Sequence, residues 1–425
     1  MSSALDVEPV DEFARRARTW LAANMPPAPT GSDRGLGRVR PDDEELARIN
    51  RCRELQRMLF DGGLAGICVP REYGGQGLTM AHQEALNREI VGYDYPAETQ
   101  IPTFTPCMAV ILEFGTEDQK KRHVPPILRG EAFWMQFLSE PSGGSDVAGA
   151  QTTAIRDGEE WVLNGSKIWT TGAWWADWGL CLARTNWDVP KHRGLTVFML
   201  PIHHPGIEIH RIEMLNGSRE FCQEFLTDVR IPDSDRVGEV DQGWTVGVRW
   251  MYHERTVSGG SPYVTQPEGS RNARGPAGGA AGLMRRVRAT GRGDDLRARE
   301  LVGEARALDL VGQALTRRVA AGIRTGRTTD QSAAITRLYG GTTSVRTSTI
   351  VFELTGPAAV AWSDEQDNLG QAGVGYLMRQ AACIGGGTTE MSRNVISERV
   401  LGMPREKTSD RDVPFRDVPR SAPTR

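Results

Sequence analysis

The sequence predicts an α+β chain in which a helical block, a β block and a second helical block follow one another. Two observations carry this. Apolar residues recur at three- and four-residue spacing in the first and last thirds, whereas residues from about 133 to 236 form short runs of β-forming residues divided by Gly, Asn, Asp and Pro. Blocks segregated in this way build separate layers; a doubly wound parallel sheet would need strands and helices to alternate.

In 43–62, Leu46, Ile49, Cys52, Leu55 and Leu59 share one helical face, and Gly62-Gly63 ends the helix. Residues 83–95 and 117–129 also read as helices. The second opens at Thr116 with Glu117 and Asp118 in its first turn, where the helix dipole favours acids. The middle block supplies Thr152–Arg156, Glu160–Leu163, Trp178–Ala183, Leu195–Leu200, Ile207–Ile212 and Cys222–Val229 as strands. Asp157-Gly158 is a hairpin signal, and a turn at Asn164-Gly165 leads to Lys167. Helices return over 294–323, 329–356 and 389–401. Residues 258–282, rich in Gly, Ser and Pro, read as a mobile loop or a lid. The expected domains are 1–132 (helical), 133–240 (β) and 241–405 (helical), with a charged, proline-containing tail over 406–425.

Composition excludes several classes. The 425 residues carry 51 Lys+Arg and 54 Asp+Glu, a net charge of −3, which does not suit a nucleic-acid binder. No stretch approaches the ~20 apolar residues that span a bilayer, and the N-terminus has no basic start followed by an apolar run. Cysteines 52, 68, 107, 181, 222 and 383 are scattered without CxxC spacing. That argues against a zinc ribbon or disulfide scaffold and fits a reducing cytoplasm. The expectation is a cytoplasmic protein with no metal, membrane or nucleic-acid partner. Glycine, at 48 residues, exceeds its usual ~7% share, and there are 11 tryptophans.

Three segments carry chemistry. Met135–Asp146 (MQFLSEPSGGSD) starts as a strand and ends in a glycine turn whose backbone N–H groups can meet an anion or a flavin edge. Asn164–Trp178 (NGSKIWTTGAWWADW) offers indoles that can stack on a flat cofactor and hydroxyls for its polar edge. In Ile384–Pro404 (IGGGTTEMSRNVISERVLGMP) three glycines lead into a helix start. Each has an ordinary alternative: a plain turn, aromatic core packing, a capped helix.

In this order, the three segments resemble those of the acyl-CoA dehydrogenase family of flavoproteins, over about 55 to 405. Leu64–Leu78 (LAGICVPREYGGQGL), Phe114–Gly130 (FGTEDQKKRHVPPILRG) and Phe225–Gly243 (FLTDVRIPDSDRVGEVDQG) add to the likeness. The resemblance implies an N-terminal helical domain, a middle β-barrel or sandwich and a C-terminal four-helix bundle, with FAD as cofactor. It implies that Gln136, Leu138 and Ser139 lie along the isoalloxazine, with Gly144 and Ser145 near the pyrophosphate and the CoA chain. Trp169, Thr170 and Thr171 would cover the ring near N5, and Glu353, Thr388 and Glu390 would complete the cofactor contacts. Thr388 and Glu390 would touch the adenosine part, Glu390 standing where Gln is common. Ser145, Tyr252, Arg255, Gly386 and Gly387 are the implied substrate contacts.

Many relatives carry their catalytic glutamate just before the Gly-Thr of the third motif. Here that position is Gly386, which accepts no proton. Isovaleryl-type and long-chain-type members instead place the glutamate on the helix after the β domain, beside an arginine. Trp250–Arg255 (WMYHER) puts Glu254 and Arg255 there, so Glu254 is the expected base. The implied reaction removes a proton from Cα and transfers a hydride from Cβ to the flavin. The Gly386 N–H would polarise the thioester carbonyl, and a dry pocket would make Glu254 basic. A glycine at 386 also leaves room for a branched or bulky acyl group.

Around 258–293 the segment by which many homotetrameric relatives reach a neighbour's flavin is not found. Arg285, Arg286, Arg288 and Arg292 there read as a solvated basic face or as phosphate contacts. This texture resembles actinobacterial branches acting on sterol side chains or other unusual acyl groups, some of which pair unlike subunits. The expected partners are an acyl-CoA or acyl-carrier-protein thioester, an electron-transfer flavoprotein or similar acceptor, and further subunits in a homo- or hetero-oligomer (dimer or tetramer). The competing readings are a flavin oxidase, a carrier-protein-linked dehydrogenase, a non-catalytic partner subunit and, on the arginine cluster alone, a DNA-associated member of the fold.

Overall fold

The computed structural model describes residues 7–28, 39–257, 260–267, 279–289, 291–361, 367–408 and 410–419. The chain forms two compact units. One comprises Met1–Val257, Ser261–Pro267 and Lys407–Arg425; the other comprises Ser258–Gly260 and Glu268–Glu406.

The first unit opens with helices α1 (Val10–Asn24), α2 (Asp42–Asp61), α3 (Met80–Glu89), α4 (Ala97–Pro102), α5 (Ala109–Phe114) and α6 (Glu117–Leu128). The apolar stripe read from 43–62 is real. Ile49, Cys52, Leu55 and Leu59 are buried, while Leu46 at the polar margin is exposed. Helix α6 starts with the expected cap: Thr116 accepts from the Gln119 N–H, and the Gln119 side chain returns to the Thr116 N–H. Between α4 and α5, Thr103–Met108 forms a π-helical turn that contains Pro106.

The strands are β1 (Trp134–Phe137), β2 (Thr153–Asp157), β3 (Glu160–Thr171), β4 (Trp178–Arg184), β5 (Leu195–Pro201), β6 (Ile207–Ile212), β7 (Phe221–Pro232) and β8 (Arg236–Val237). They form one mixed sheet in the order β6-β7-β3-β2-β4-β5-β8, with β1 parallel to β4. The sequence read a turn at Asn164-Gly165, but β3 runs straight through. A β-bulge absorbs the irregularity against β7, and a Cβ at Gly165 would come within 2.5 Å of Thr152 Oγ1. The glycine therefore marks close packing rather than a chain reversal. Apolar side chains bury on both faces of the sheet, Trp134, Leu180 and Val197 in one cluster and Phe137, Cys181 and Phe198 in another. Helix α7 (Gly243–Thr256) packs Val246 and Trp250 into the first cluster.

The described parts of two segments expected to be loose include packed residues. Within 258–282, residues 258–259 and 268–278 lie outside the described residues, but Val264 is buried and the Thr265 N–H donates to Gln100 Oε1 at 3.1 Å. The expected tail docks on the β domain. Phe415 is buried, its N–H donates to Val189 O at 2.9 Å, and the Arg184 guanidinium lies 3.8 Å from its ring centroid. Lone aromatic burial outweighs the charged, proline-rich composition of that stretch.

The second unit contains α8 (Gly279–Ala289), α9 (Leu296–Arg324), α10 (Ala333–Thr355), α11 (Asp367–Met378) and α12 (Thr389–Val395). Its core gathers Leu283, Val287, Leu301, Ile350, Val351 and Leu354. Asp295 caps α9 by accepting from the N–H groups of Arg297 and Ala298.

Candidate active site

Strand β1 is paired on one edge only. On its other edge, two side chains and one backbone N–H of β3 take the place of a ladder. Lys167 Nζ donates to Leu138 O at 3.3 Å, Thr170 Oγ1 donates to Gln136 O at 3.1 Å, and the Ile168 N–H reaches Ser139 O at 3.0 Å. Lys167 is wholly buried and makes an ion pair with Glu140 at 2.8 Å; it also donates to Leu182 O at 2.6 Å. Glu140 accepts in addition from the N–H groups of Gln151 and Thr152. Burial alone would raise the Glu140 carboxyl, but the Lys167 ammonium and these donors outweigh it and hold the group below the usual carboxylate range. The pair fixes where β1 ends and the Ser139–Ser145 turn begins.

That turn presents bare backbone. Gly143 and Gly144 are not forced by the chain itself. A Cβ at Gly143 would have Asp146 O as its nearest neighbour at 3.7 Å, and one at Gly144 would have Ser139 Oγ at 3.6 Å. Such a side chain would fill open space above the turn. Ser145 is exposed, and Asp146 is held by Lys191 at 2.9 Å, which also reaches Asp410 of the docked C-terminal segment at 3.2 Å.

Trp169 has φ 67, a conformation that costs a bulky residue energy, and its indole is 51% exposed with its edge against Phe221. Thr171 lies partly exposed two residues on. Thr170 points the other way. It is buried, and its hydroxyl lies between Gln136 O and Glu224 Oε2, at 3.1 and 3.0 Å. The Thr170 side chain therefore does not belong with Trp169 and Thr171: strand alternation turns it inward. An exposed, strained indole, a hydroxyl beside it and a backbone turn with room for a ligand suit a flat aromatic cofactor with a phosphate-bearing tail.

Glu254 lies on α7, with Trp250 fully buried one turn before it. Its charge bears on the fully buried Cys107 of the π-helical turn, whose thiol burial raises first and the Glu254 charge raises further. Arg255 is exposed. Tyr252 stacks under Arg249 at 4.4 Å, and Arg249 and His253 both bind Glu113, at 2.7 and 2.9 Å. Arg249 and His253 thus share Glu113, whereas the charge of Arg255 bears on Glu254 itself.

In the helical unit, Gly386 and Gly387 have φ 70 and 96. Backbone conformation alone accounts for glycine at 386, independently of any room it leaves for substrate. Arg337 of α10 donates to Ala382 O at 2.9 Å and to Gly385 O, and Gly341 gives the loop its approach, since a Cβ there would sit 2.9 Å from Ala382 O. Sequence reasoning passed over Arg337, whose only signal was a basic residue on an otherwise weakly charged helix. Thr388 caps α12 by accepting from the Met391 N–H. Glu390 is exposed, beside Thr389 and Arg393. Glu353 joins a surface ion network with Arg297 and Arg346.

Three family models match the chain: Acyl-CoA dehydrogenase, N-terminal domain, over residues 36–131; the middle domain over 136–229; and the C-terminal domain over 241–401. The chain is 31% identical over 402 residues to acyl-CoA dehydrogenase IpdE1 of Mycobacterium tuberculosis, covering 94% of this chain and 99% of that protein. It superposes on the solved structure titled "Tcur3481-Tcur3483 steroid ACAD" with a TM-score of 0.72 and 26% identity, over 94% and 99% of the two chains. The ChsE4-ChsE5 complex from Mycobacterium tuberculosis shares the fold at a TM-score of 0.70 and 24% identity, over 96% and 100%. The chain belongs to the acyl-CoA dehydrogenase family of FAD-dependent oxidoreductases. Among the described residues, no helix is long and apolar enough to cross a membrane.

Proposed function

We propose that the chain dehydrogenates a bulky or branched acyl-CoA thioester between Cα and Cβ, with Glu254 as the base. The observation that carries this reading is Glu254 on α7, set among buried Trp250 and Cys107. A carboxylate placed beside the reacting carbon can take the Cα proton directly. The bulk of the acyl group is inferred from the steroid enzyme among the similar structures. FAD, when bound, supplies the two-electron acceptor. Gln136, Leu138 and Ser139 would hold it through β1, Gly144 and Ser145 through the turn, and Trp169 and Thr171 through the exposed face of β3. Glu254 then removes the Cα proton, and the Lys167–Glu140 pair keeps β1 and the turn in place while it does so. An electron-transfer flavoprotein is the proposed acceptor.

The test is anaerobic bleaching of the bound flavin by a panel of acyl-CoAs. The Glu254→Gln variant should bleach roughly 10²–10⁴-fold more slowly than wild type. Equal rates would remove Glu254 as the base. Fastest bleaching by short straight chains would remove the bulky acyl group from the reading.

A second subunit is also proposed. In the helical unit Leu310, Val311, Ile384, Met391, Leu401 and Met403 are exposed, and two similar structures carry titles naming two components. Light scattering on the purified chain, alone and with a candidate partner, tests it; a lone monomer under both conditions would count against it.

A further inference from the structure

Inside the β domain the buried Lys167 ammonium has two buried carboxyls near it, Glu140 and Glu224. Lys167 stands directly opposite Glu224 in the β3–β7 ladder, yet its ammonium turns to Glu140. Glu140 collects three donors. Glu224, with no exposed surface, is met by the Thr170 hydroxyl and its own backbone N–H, and its Oε1 has no hydrogen-bond partner. A carboxylate left so poorly solvated is far costlier than a neutral acid. The remaining titratable groups around it offer no compensating charge. Cys181 of β4 and Cys222 of β7 are buried thiols pushed up to about 12, chiefly by burial, and Arg211 of β6 is engaged by Asp42 and Glu45. Burial pushes the Glu224 carboxyl up to about 8, against the Thr170 hydrogen bond and the Lys167 charge.

The Thr170 hydroxyl has one proton and two oxygens within reach, Gln136 O and Glu224 Oε2. A hydroxyl accepts as well as donates, so the protonation of Glu224 decides where that proton goes. We propose that Glu224 is a protonated carboxylic acid and a positioning residue for β1: its O–H donates to Thr170 Oγ1, which makes Thr170 donate to the Gln136 carbonyl. Ionised Glu224 reverses the chain. Thr170 then donates to the carboxylate, and the free edge of β1 loses its donor at Gln136. Any consequence for a flavin rests on the reading that FAD lies along β1.

Two measurements on the full-length holoenzyme test this, and they fail separately. Infrared spectroscopy should show the C=O stretch of a protonated carboxylic acid at about pH 6 that is lost by about pH 9. That band should be missing from Glu224→Gln; its persistence there, or its absence from wild type at the lower pH, overturns the proposal. The absorption spectrum of the bound flavin should shift with a midpoint near the Glu224 value of about 8. Glu224→Gln, a permanent donor, should be flat with pH and resemble wild type at low pH. Thr170→Val, which removes the relay, should be flat and resemble wild type at high pH. A wild-type midpoint retained in both variants overturns the proposal. A chain that takes up no flavin overturns the FAD reading, and the infrared band alone then decides Glu224.

Discussion

The β domain and the helical unit of 268–406 differ in whether a described ion pair escapes solvent. In the β domain, Lys167 and Glu140 meet with almost no solvent contact and set the edge of a strand. In the helical unit, the pairs Arg346–Glu304, Arg346–Glu353 and Arg292–Asp295 are about a third exposed or more, while Leu310, Val311, Ile384 and Leu401 face water. Buried charge fixes geometry at a high cost of disruption, whereas exposed pairs add little. The β domain is thus a rigid frame, and the helical unit holds apolar surface in reserve.

The largest effect should come from breaking the frame. Lys167→Met strands the Glu140 carboxylate and should cost about 3–5 kcal/mol in urea unfolding. A loss below about 1 kcal/mol would show that Glu140 finds other compensation. Next is Phe415→Ala, which should cost about 3 kcal/mol and expose the 410–419 segment to proteolysis. If cleavage there matches wild type, the segment is held by its ion pairs instead. In the helical unit, Gly386→Ala should cost about 1–2 kcal/mol through its positive φ, read by thermal melting. At the bottom, Arg346→Ala should change stability by less than about 1 kcal/mol and lose even that at high salt.

The pH dependence sharpens the contrast within the β domain. Glu140 is depressed when folded, so its contribution is present above the ordinary carboxylate value and is lost as pH falls through the folded one. Glu224 is raised, so its contribution is full below 4.5 and is lost as pH rises through about 8. Glu224→Gln should therefore gain stability relative to wild type as pH increases across that window. A constant difference in melting temperature would mean that Glu224 does not titrate there.

Much of the architecture was legible because it is local. The stripe Ile49, Cys52, Leu55, Leu59 and the cap at Thr116 depend on residues a turn apart. What escaped was whatever depends on a distant partner. Asn164-Gly165 has turn composition, yet Thr152 across the sheet explains the glycine. Helix α11 is obscured by the glycines of its own sequence (DNLGQAGVGYLM). Phe415 looked like part of a tail because Arg184 and Val189 lie over 200 residues earlier. In the site, the Trp-Thr-Thr run was visible, but not which of its threonines turns inward.

The sequence by itself determined the order of blocks, the family and the candidate base, since Gly386 bars an acid at one position and Trp250–Arg255 supplies one at another. Periodicity, turn chemistry and motif spacing are short-range properties, and a single chain displays them. Only the tertiary structure decided how the charges of the β domain are shared. Lys167, Glu140 and Glu224 come from three separate stretches, and the pairing of one ammonium with two carboxyls depends on which of them meets it out of water.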